Sequence, residues 1–257
     1  KTNPSGKLTD TIAVSYKDYP SSKDFGNADF NNYTEDIFVG YRYFETFDKS
    51  KVLFPFGFGL SYTDFEITPD RFIYDDKIKI TVTVKNSGNT AGKEVLQVYV
   101  SCPDGRQKKA EKSLVAFAKT RCLAPNECES INFEIEPYDF ASYDEDISSY
   151  ITEKGEYAFY IGNNVNTDLL AGTVDLDEQV LERLLPVCPV QNPFKIITGE
   201  TLKNGKAVLK ERIIENLPAE IGFKGDQGFK LSDVKNGKIT LDEFISQLTN
   251  KELEALT

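Results

Sequence analysis

The feature that most constrains the fold of this chain is a strict two-residue alternation in its middle. Isoleucine or valine occupies every second position from Ile78 to Val84, with lysine and threonine between them. Successive side chains of a strand point to opposite faces of a sheet, so the pattern predicts a half-buried β-strand. The alternation returns after stretches rich in turn residues, in the sets Leu96, Val98 and Val100, then Ile131, Phe133 and Ile135, then Tyr157, Phe159 and Ile161.

Short strands separated by turns predict a mainly β fold, an antiparallel β-sandwich of the immunoglobulin or fibronectin type over residues 65–175. An antibody-like domain is disfavoured, because the chain has no tryptophan for a Cys…Trp…Cys signature. Tyr99 and Tyr160 alternate with apolar residues, so we expect both side chains to face outward. We expect the apolar residues of the strands to be buried, among them Ile80, Val82, Val98, Phe133, Tyr157 and Phe159.

Residues 1–64 have a different texture, rich in aromatic residues and glycine and with little periodicity. One strand is predicted over 37–43, and so many aromatic side chains need a larger surface on which to pack. Gly57 and Gly59 alternate with phenylalanine but lack the third glycine and the lysine of a phosphate-binding loop. We interpret them as places where the backbone lies close to a neighbour.

The sequence after residue 175 predicts helices and loops. Two short helices near the C-terminus are predicted by the capping boxes Thr240–Glu243 and Thr249–Glu252. A further helix is predicted from Val208 to Leu217, ended by Pro218. An earlier one is predicted by the helical spacing of Val180, Leu181, Leu184 and Leu185.

Composition excludes several classes of function. Without histidine, the chain cannot by itself form a Ser-His-Asp triad or a histidine-ligated zinc site. A net charge of −11 argues against a nucleic-acid partner. No apolar run approaches the ~20 residues that cross a bilayer, so no membrane partner is expected. The absence of methionine predicts a processed chain or a fragment, and we interpret it as a fragment.

No metal site is expected. Residues 232–243 imitate a calcium-binding loop, but Ser232 and Val234 stand where oxygen ligands are required, and an Asn-Gly turn before a capped helix explains the pattern. The cysteines form no CxxC pair, so a metal cage is not expected. In a chain this long without a dense cysteine framework, free buried thiols are favoured, and two disulfides are the alternative. They are Cys102, Cys122, Cys128 and Cys188.

Pairs of acidic residues recur along the chain, and paired carboxylates can catalyse glycoside hydrolysis. Neighbours on a strand face opposite ways, however, and in loops they are usually solvated, so no catalytic role is assigned to them. The acidic runs lie at 35–36, 75–76, 144–146 and 177–178.

Three stretches stand in a fixed order within the first 63 residues: Asn3–Leu8 (NPSGKL), Tyr33–Phe44 (YTEDIFVGYRYF) and Leu53–Thr63 (LFPFGFGLSYT). In sequence and spacing they closely resemble the end of the α/β-sandwich domain of glycoside hydrolase family 3, the β-glucosidase and β-xylosidase family. Asp36 stands where that family commonly has glycine. The motif agreement is specific, because three motifs coincide within about sixty residues.

The resemblance continues into the predicted sandwich. Lys112–Phe117 is similar to the KeLvgF strand of the family's fibronectin type III-like domain, and Gly155-Glu156-Tyr157 to its closing strand. Leu123–Glu127 resembles its LaPGE turn, with Asn126 in place of glycine. Ile239–Thr257 resembles the opening of the family's barrel domain, which implies a member with reversed domain order.

The resemblance implies four parts. They are the C-terminal end of an α/β-sandwich domain (1–64), a fibronectin type III-like β-sandwich (65–175), a linker with short helices (176–238) and the start of a (β/α)8 barrel domain (239–257).

The activity implied is that of a retaining, exo-acting β-glucosidase that releases glucose from β-glucosides or cello-oligosaccharides. In the family the nucleophile is an aspartate of a barrel S-D-W motif, and the acid/base glutamate lies well before the NPSGKL motif. Neither position falls within residues 1–257, so no catalytic, cofactor-binding or metal-binding residue is assigned, and no cofactor is expected. The fragment is expected to be structural, packing on the catalytic domains, while the rest of the enzyme binds the carbohydrate substrate.

Other interpretations stay open. One is a β-xylosidase of the same family. Another is a non-catalytic carbohydrate-binding or adhesion sandwich, which would need exposed aromatic residues on one face or loop. A calcium-dependent dockerin-like module depends only on the degenerate loop. We expect a bacterial protein that is cytoplasmic or cell-associated, with secretion as the alternative.

Overall fold

The computed structural model describes residues 2–184 except 24, 27 and 30, residue 197, and residues 221–256. The chain consists of two compact units, Lys1–Ile213 and Ile214–Thr257, each with most of its contacts within itself.

The N-terminal segment, residues 2–64, has little regular structure. Its elements are strand β1 (Ile12–Ala13), helix α1 (Tyr41–Phe47) and strand β2 (Val52–Phe54), with 3₁₀ turns at Tyr16–Asp18, Pro20–Lys23 and Lys49–Lys51. Strands β1 and β2 pair antiparallel.

The prediction of a strand over 37–43 is wrong. The chain turns at residues 34–37 and enters α1 at Tyr41. Phe44 and Phe47 are both buried, and their three-residue spacing places them on one face of the helix. Packing of this face therefore overrides the local alternation that suggested a strand.

The segment from Phe65 to Arg183 is built of antiparallel strands. They are β3 (Phe65–Tyr74), β4 (Ile78–Asn86), β5 (Val95–Ser101), β6 (Ser113–Lys119), β7 (Cys128–Ile135), β8 (Ser142–Asp144), β9 (Ser149–Thr152), β10 (Gly155–Gly162), β11 (Leu170–Leu176) and β12 (Gln179–Arg183), with a 3₁₀ turn at Pro137–Phe140. One sheet has the order β3-β4-β7 and the second the order β11-β10-β5-β6. A third, smaller sheet has the order β12-β9-β8.

One hydrophobic cluster joins the two larger sheets. Along β4 every second residue is buried, and the lysines and threonines between them are only partly covered, as the alternation predicts. The mainly β, sandwich fold is thus confirmed. The predicted core residues are all buried: Ile80, Val82, Val98, Phe133, Tyr157 and Phe159.

The helix predicted from Val180 onward is wrong over its described part. Residues 179–183 form β12, which pairs with β9 so that Gln179 faces Thr152 and Arg183 faces Ser149. The edge of β9 offers backbone hydrogen bonds to this segment. Pairing with that edge outweighs the weak helical preference that the spacing of a few apolar residues indicates. The predicted helix over 208–217 lies outside the described residues.

The described cysteines are free thiols. The expectation that they are buried is wrong for Cys122, exposed in the loop before β7, and for Cys128, exposed as the first residue of β7. Cys102 is partly covered, and burial raises the pKa of its thiol to about 11. Cys188 lies outside the described residues.

The second unit contains helices α2 (Leu231–Lys235), α3 (Leu241–Ser246) and α4 (Asn250–Leu256). Both predicted capping boxes are confirmed. The Thr240 hydroxyl accepts from the Glu243 amide at 3.2 Å, and the Glu243 carboxylate accepts from the Thr240 amide at 2.7 Å. At the next helix the Glu252 carboxylate accepts from the Thr249 amide at 2.8 Å.

The calcium-like segment, residues 232–243, consists of most of α2, a turn, and the start of α3. Val234 lies within α2, and the Asp233 carboxylate accepts from the Lys230 amide at 3.0 Å and lies 3.3 Å from the Lys238 amine. Over the described parts of the chain, no group of three acidic or cysteine side chains is placed to hold a metal ion. None of the helices within those parts is long and apolar enough to cross a membrane.

Candidate functional site

The N-terminal segment packs on the outer face of the β11-β10-β5-β6 sheet. Strand β5 is buried at five successive positions, Leu96 to Val100, so both of its faces are covered. Leu96, Val98 and Val100 contribute to the sandwich core. Tyr99, expected to face solvent, is fully buried on the opposite face. That expectation is wrong because the alternation of β5 cannot reveal a second layer contributed by another part of the chain.

Gly57 makes the closest approach between the segment and the sheet. Its backbone has a φ of +83°, and a Cβ added there would lie 2.6 Å from Oε1 of Gln97 and 2.7 Å from Cα of Asn164. At Gly59 an added Cβ would lie 2.5 Å from the backbone oxygen of Gly6. The interpretation of these glycines as points of close backbone approach is confirmed.

Asn3 joins the first sequence motif to the third. Its side-chain oxygen accepts from the Tyr62 amide at 2.7 Å, and its amide nitrogen donates to the Ser61 hydroxyl at 2.9 Å. Asn3 is buried, and a Cβ added at Gly92 would lie 2.4 Å from its Nδ2. The start of the segment is therefore fixed both to its end and to the turn before β5.

A shielded ion pair fastens the same motif to the sandwich. Nζ of Lys7 lies 2.7 Å from Oε1 of Glu94, and the two side chains are only 12% and 6% exposed. Glu94 also accepts from the Val95 amide at 2.8 Å and from Nδ2 of Asn163 at 3.0 Å. Each carboxylate oxygen thus has a partner, which a shielded charge requires.

Tyr41 connects the second motif to the sheet. Its hydroxyl accepts from the Leu114 amide of β6 at 2.9 Å, and its ring lies 6.2 Å from that of Tyr99. The Tyr99 hydroxyl donates to Oε1 of Gln97, and burial raises the pKa of Tyr99 far above its usual range, so it stays a neutral donor. Nearby, the Thr46 hydroxyl accepts from the Glu111 amide at 3.0 Å.

Lys112 organises the loop between β10 and β11. Its amine is buried, donates to the backbone oxygens of Val165 and Thr167, and lies 4.9 Å from the centre of the Tyr160 ring. The Val165 amide in turn donates to the Phe56 oxygen at 3.1 Å. The buried Lys112 amine, one residue before β6, therefore holds this loop against the third motif.

These contacts bring the three family motifs together on one surface. We call it the joint, defined by Asn3, Lys7, Tyr41 and Gly57 on the segment and by Glu94, Gln97, Tyr99 and Leu114 on the sandwich. It contains aromatic packing, tight backbone contact and a shielded ion pair. Sequence analysis singled out the motifs by resemblance but did not predict their partners on the sandwich.

A cleft of about 680 Å³ opens beside the joint. Its walls come from Asp36 and Arg42 of the segment, from the loop after β5 at residues 106–110, and from residues 139–146 with Tyr150. Nε of Arg106 donates to Oδ2 of Asp144 at 2.9 Å, and Nη1 donates to Oε2 of Glu178 at 2.8 Å. Arg106 thereby holds two wall segments together.

Buried acidic groups order the loop over residues 106–110. Glu153 accepts from the Arg106 amide at 2.8 Å and pairs with Lys109. Burial opposes ionisation of Glu153, but hydrogen bonds from the Lys109 amine and from the backbone amides of Arg106 and Gln107 lower its pKa. The pKa of Asp144 is likewise lowered, burial being outweighed by its hydrogen bonds from Arg106 and the following turn.

The structure places the acidic runs in ion pairs. Asp36 lies 3.3 Å from the Lys108 amine, and Asp75 lies 2.7 Å from that of Lys79. Asp144 and Glu178 share Arg106. The prediction that the chain holds no catalytic carboxylate stays a prediction.

Comparison with known proteins shows which family has this arrangement of segment and sandwich. Residues 94–165 match the model of the fibronectin type III-like domain. A β-glucosidase of Ruminococcus albus is 45% identical over 267 residues, which is 99% of this chain and 28% of that protein. The structure of a β-glucosidase from Paenibacillus barengoltzii superposes with a TM-score of 0.68 and 36% identity, over 98% of this chain and 30% of that one. A GH3 β-glucosidase of Bifidobacterium adolescentis superposes with a TM-score of 0.63 and 32% identity, over 74% of this chain and 28% of that one.

The chain is part of a glycoside hydrolase family 3 protein. It spans less than a third of the length of each of these relatives. The family 3 resemblance of the three motifs is therefore confirmed, and the joint is where this family 3 chain brings those motifs into contact with its fibronectin type III-like domain.

Proposed function

We propose that the chain is a structural part of a retaining, exo-acting β-glucosidase that releases glucose from β-glucosides or cello-oligosaccharides. The observation that carries the proposal is the joint, since Lys7, Tyr41 and Gly57, which stand in the stretches resembling the family's motifs, contact the sandwich. The support for the activity is that relatives matching nearly the whole chain are β-glucosidases.

The sandwich acts as a brace. The segment over residues 1–64 is proposed to end the α/β-sandwich domain on which the family carries its acid/base glutamate. A retaining hydrolysis requires two carboxylates about 5–5.5 Å apart, so a small displacement of one domain would separate them. Holding the segment through Lys7, Tyr41 and Gly57 fixes the end of that domain, and no residue of the chain is proposed to touch the reacting sugar.

The domain order is proposed to be reversed, with the α/β sandwich first and the barrel last. The boundaries proposed are 1–64, 65–175, 176–238 and 239–257. Two relatives match 98–99% of the chain, including its C-terminal helices, whereas the Bifidobacterium structure matches only 74%. This difference supports a subgroup in which further sequence follows the sandwich. We place the protein in a bacterium, cytoplasmic or cell-associated, and in carbohydrate metabolism.

The activity is tested by assaying two proteins side by side, the 257-residue chain and the intact protein that contains it. Both are given nitrophenyl β-glucoside and nitrophenyl β-xyloside. The intact protein is expected to hydrolyse the glucoside faster than the xyloside, and the chain alone is expected to hydrolyse neither. Turnover by the chain, or an intact protein that prefers xyloside, would contradict the proposal.

A further inference from the structure

Three tyrosines pack against one another beside the cleft, with Tyr138 and Tyr150 tilted by 53° and Tyr143 and Tyr150 tilted by 60°. The ring centres of Tyr138 and Tyr150 are 4.9 Å apart, and those of Tyr143 and Tyr150 are 5.3 Å apart. Tyr138 and Tyr143 are 47% and 39% exposed, and Tyr143 and Tyr150 line the cleft. Partly exposed aromatic rings in a fixed row offer a surface for an apolar face of a ligand.

The charges that line the cleft are balanced. Five carboxylates and four cationic side chains contribute to its walls. A phosphate or another anion would be favoured by a surplus of cations, which this cleft lacks. A neutral ligand with many hydroxyl groups can use both signs, because a hydroxyl donates to a carboxylate and accepts from an arginine or lysine.

Arg106 and the acidic groups around it are held in place before any ligand binds. Arg106 is fixed by Asp144 and Glu178, and the backbone at residues 106–107 is fixed by Glu153. Asp144 also accepts from the Asp146 amide at 3.0 Å. A ligand that binds here therefore loses little free energy to the ordering of side chains.

The ligand class follows from the combination of aromatic and polar groups. A pyranose ring has an apolar face of C–H groups and an edge of hydroxyls, and these match a tyrosine row beside fixed charged groups. The volume of about 680 Å³ exceeds what one sugar ring fills and suits an oligosaccharide.

We propose that this cleft binds a β-linked gluco-oligosaccharide, with Tyr143 and Tyr150 stacking on the sugar rings and Arg42 and Arg106 bonding to hydroxyls. The choice of a β-linked glucan rests on the proposed function.

The test is a titration of the 257-residue chain with cellotetraose, in which binding is measured by calorimetry and by NMR. Maltotetraose, which has the same composition and α-linkages, is the matched ligand control. Cellotetraose is expected to bind saturably, and Tyr143→Ala is expected to weaken binding by about tenfold. Tyr62→Ala removes a tyrosine that is 75% exposed and does not line the cleft, so it should leave binding unchanged.

Absence of saturable cellotetraose binding up to about 10 mM would contradict the proposal. Equal binding of maltotetraose, or an equal loss in the Tyr62→Ala variant, would also contradict it. Because Tyr150 is half-buried, Tyr143→Ala is the primary variant, and circular dichroism verifies that its fold is kept. If iodination shows Tyr143 protected in the intact protein, the tyrosine row is a contact between domains and the proposal is overturned.

Failure of the cleft and failure of the proposed function give different results. If the intact protein hydrolyses β-glucosides while the chain does not bind cellotetraose, only the cleft proposal fails. If the chain binds cellotetraose while the intact protein hydrolyses no β-glucoside, the proposed activity fails and the cleft stands as a sugar-binding site.

Discussion

Gly57 and Gln97 lie so close that no side chain fits between them, since an added Cβ would be 2.6 Å from the Gln97 oxygen. We predict that Gly57→Ala destabilises the first unit by about 2–4 kcal/mol, through overpacking and through the positive φ. Denaturant melts of the chain measure the loss. Gly26→Ala is the matched control, because Gly26 has a similar φ of +88° but no atom within 4 Å of an added Cβ. Equal losses in the two variants would show that close packing at the joint contributes nothing.

Removing the positive partner of the shielded pair should leave Glu94 without its counter-charge. We predict that Lys7→Met costs about 3–5 kcal/mol of unfolding free energy. The control is Lys154→Met, whose pair with Asp177 has side chains 79% and 90% exposed and should matter little. Chemical denaturation at pH 7 compares the two. A small loss in Lys7→Met would mean that water replaces the lysine at the joint.

Val82 is fully buried on β4, the strand between β3 and β7. We predict that Val82→Asp prevents the sandwich from folding, because an unpaired carboxylate would be placed in the hydrophobic core. Lys119→Asp, at an exposed position of β6, should fold normally. Near-ultraviolet circular dichroism and a denaturant melt decide the matter, and a stable Val82→Asp variant would contradict the register of β4.

Acid should weaken the walls of the cleft. The pKa values of Asp144 and Glu153 lie below their ordinary values of 3.8 and 4.5. Their contribution to stability is therefore fully present above those ordinary values and is lost as the pH falls through the lower, folded-state values. We predict that Glu153→Gln flattens the loss of stability on acidification below pH 4.5 relative to the parent chain. Denaturant melts from pH 7 down to about pH 3 test this, and parallel curves would contradict it.

The local sequence pattern predicts the elements whose structure is decided by residues close to one another in sequence. The alternation of β4 and the capping box at Thr240 need only neighbours in sequence, and both predictions are confirmed. The prediction fails at Tyr99 and over 179–183, because a second layer and an open strand edge come from distant parts of the chain.

The two departures from the family pattern have a common physical explanation. Asp36 has a φ of +52° and Asn126 a φ of +64°, and each stands where the resemblance has glycine. Aspartate and asparagine tolerate this left-handed conformation better than most residues. A sequence pattern shows the substitution but not the backbone angle that permits it.

The candidate site was less predictable than the fold. Arg106 meets Asp144 and Glu178 across 38 and 72 residues of sequence, and no periodicity links such positions. Likewise the tyrosine row arises because β8 and β9 pair, which places Tyr143 opposite Tyr150. Resemblance to the family marked the segment's half of the joint but not these partners.

The central claim, that the segment and the sandwich form one structural unit through the joint, is tested most directly by native-state hydrogen exchange on the 257-residue chain. The Leu114 amide donates to the Tyr41 hydroxyl, and the Val165 amide donates to the Phe56 oxygen, so both report on the joint. We predict that these two amides open with the same free energy as the amides of β4, because the segment leaves only when the sandwich unfolds. Exchange of the joint amides orders of magnitude faster than those of β4 would show that the segment detaches alone, and would contradict the account.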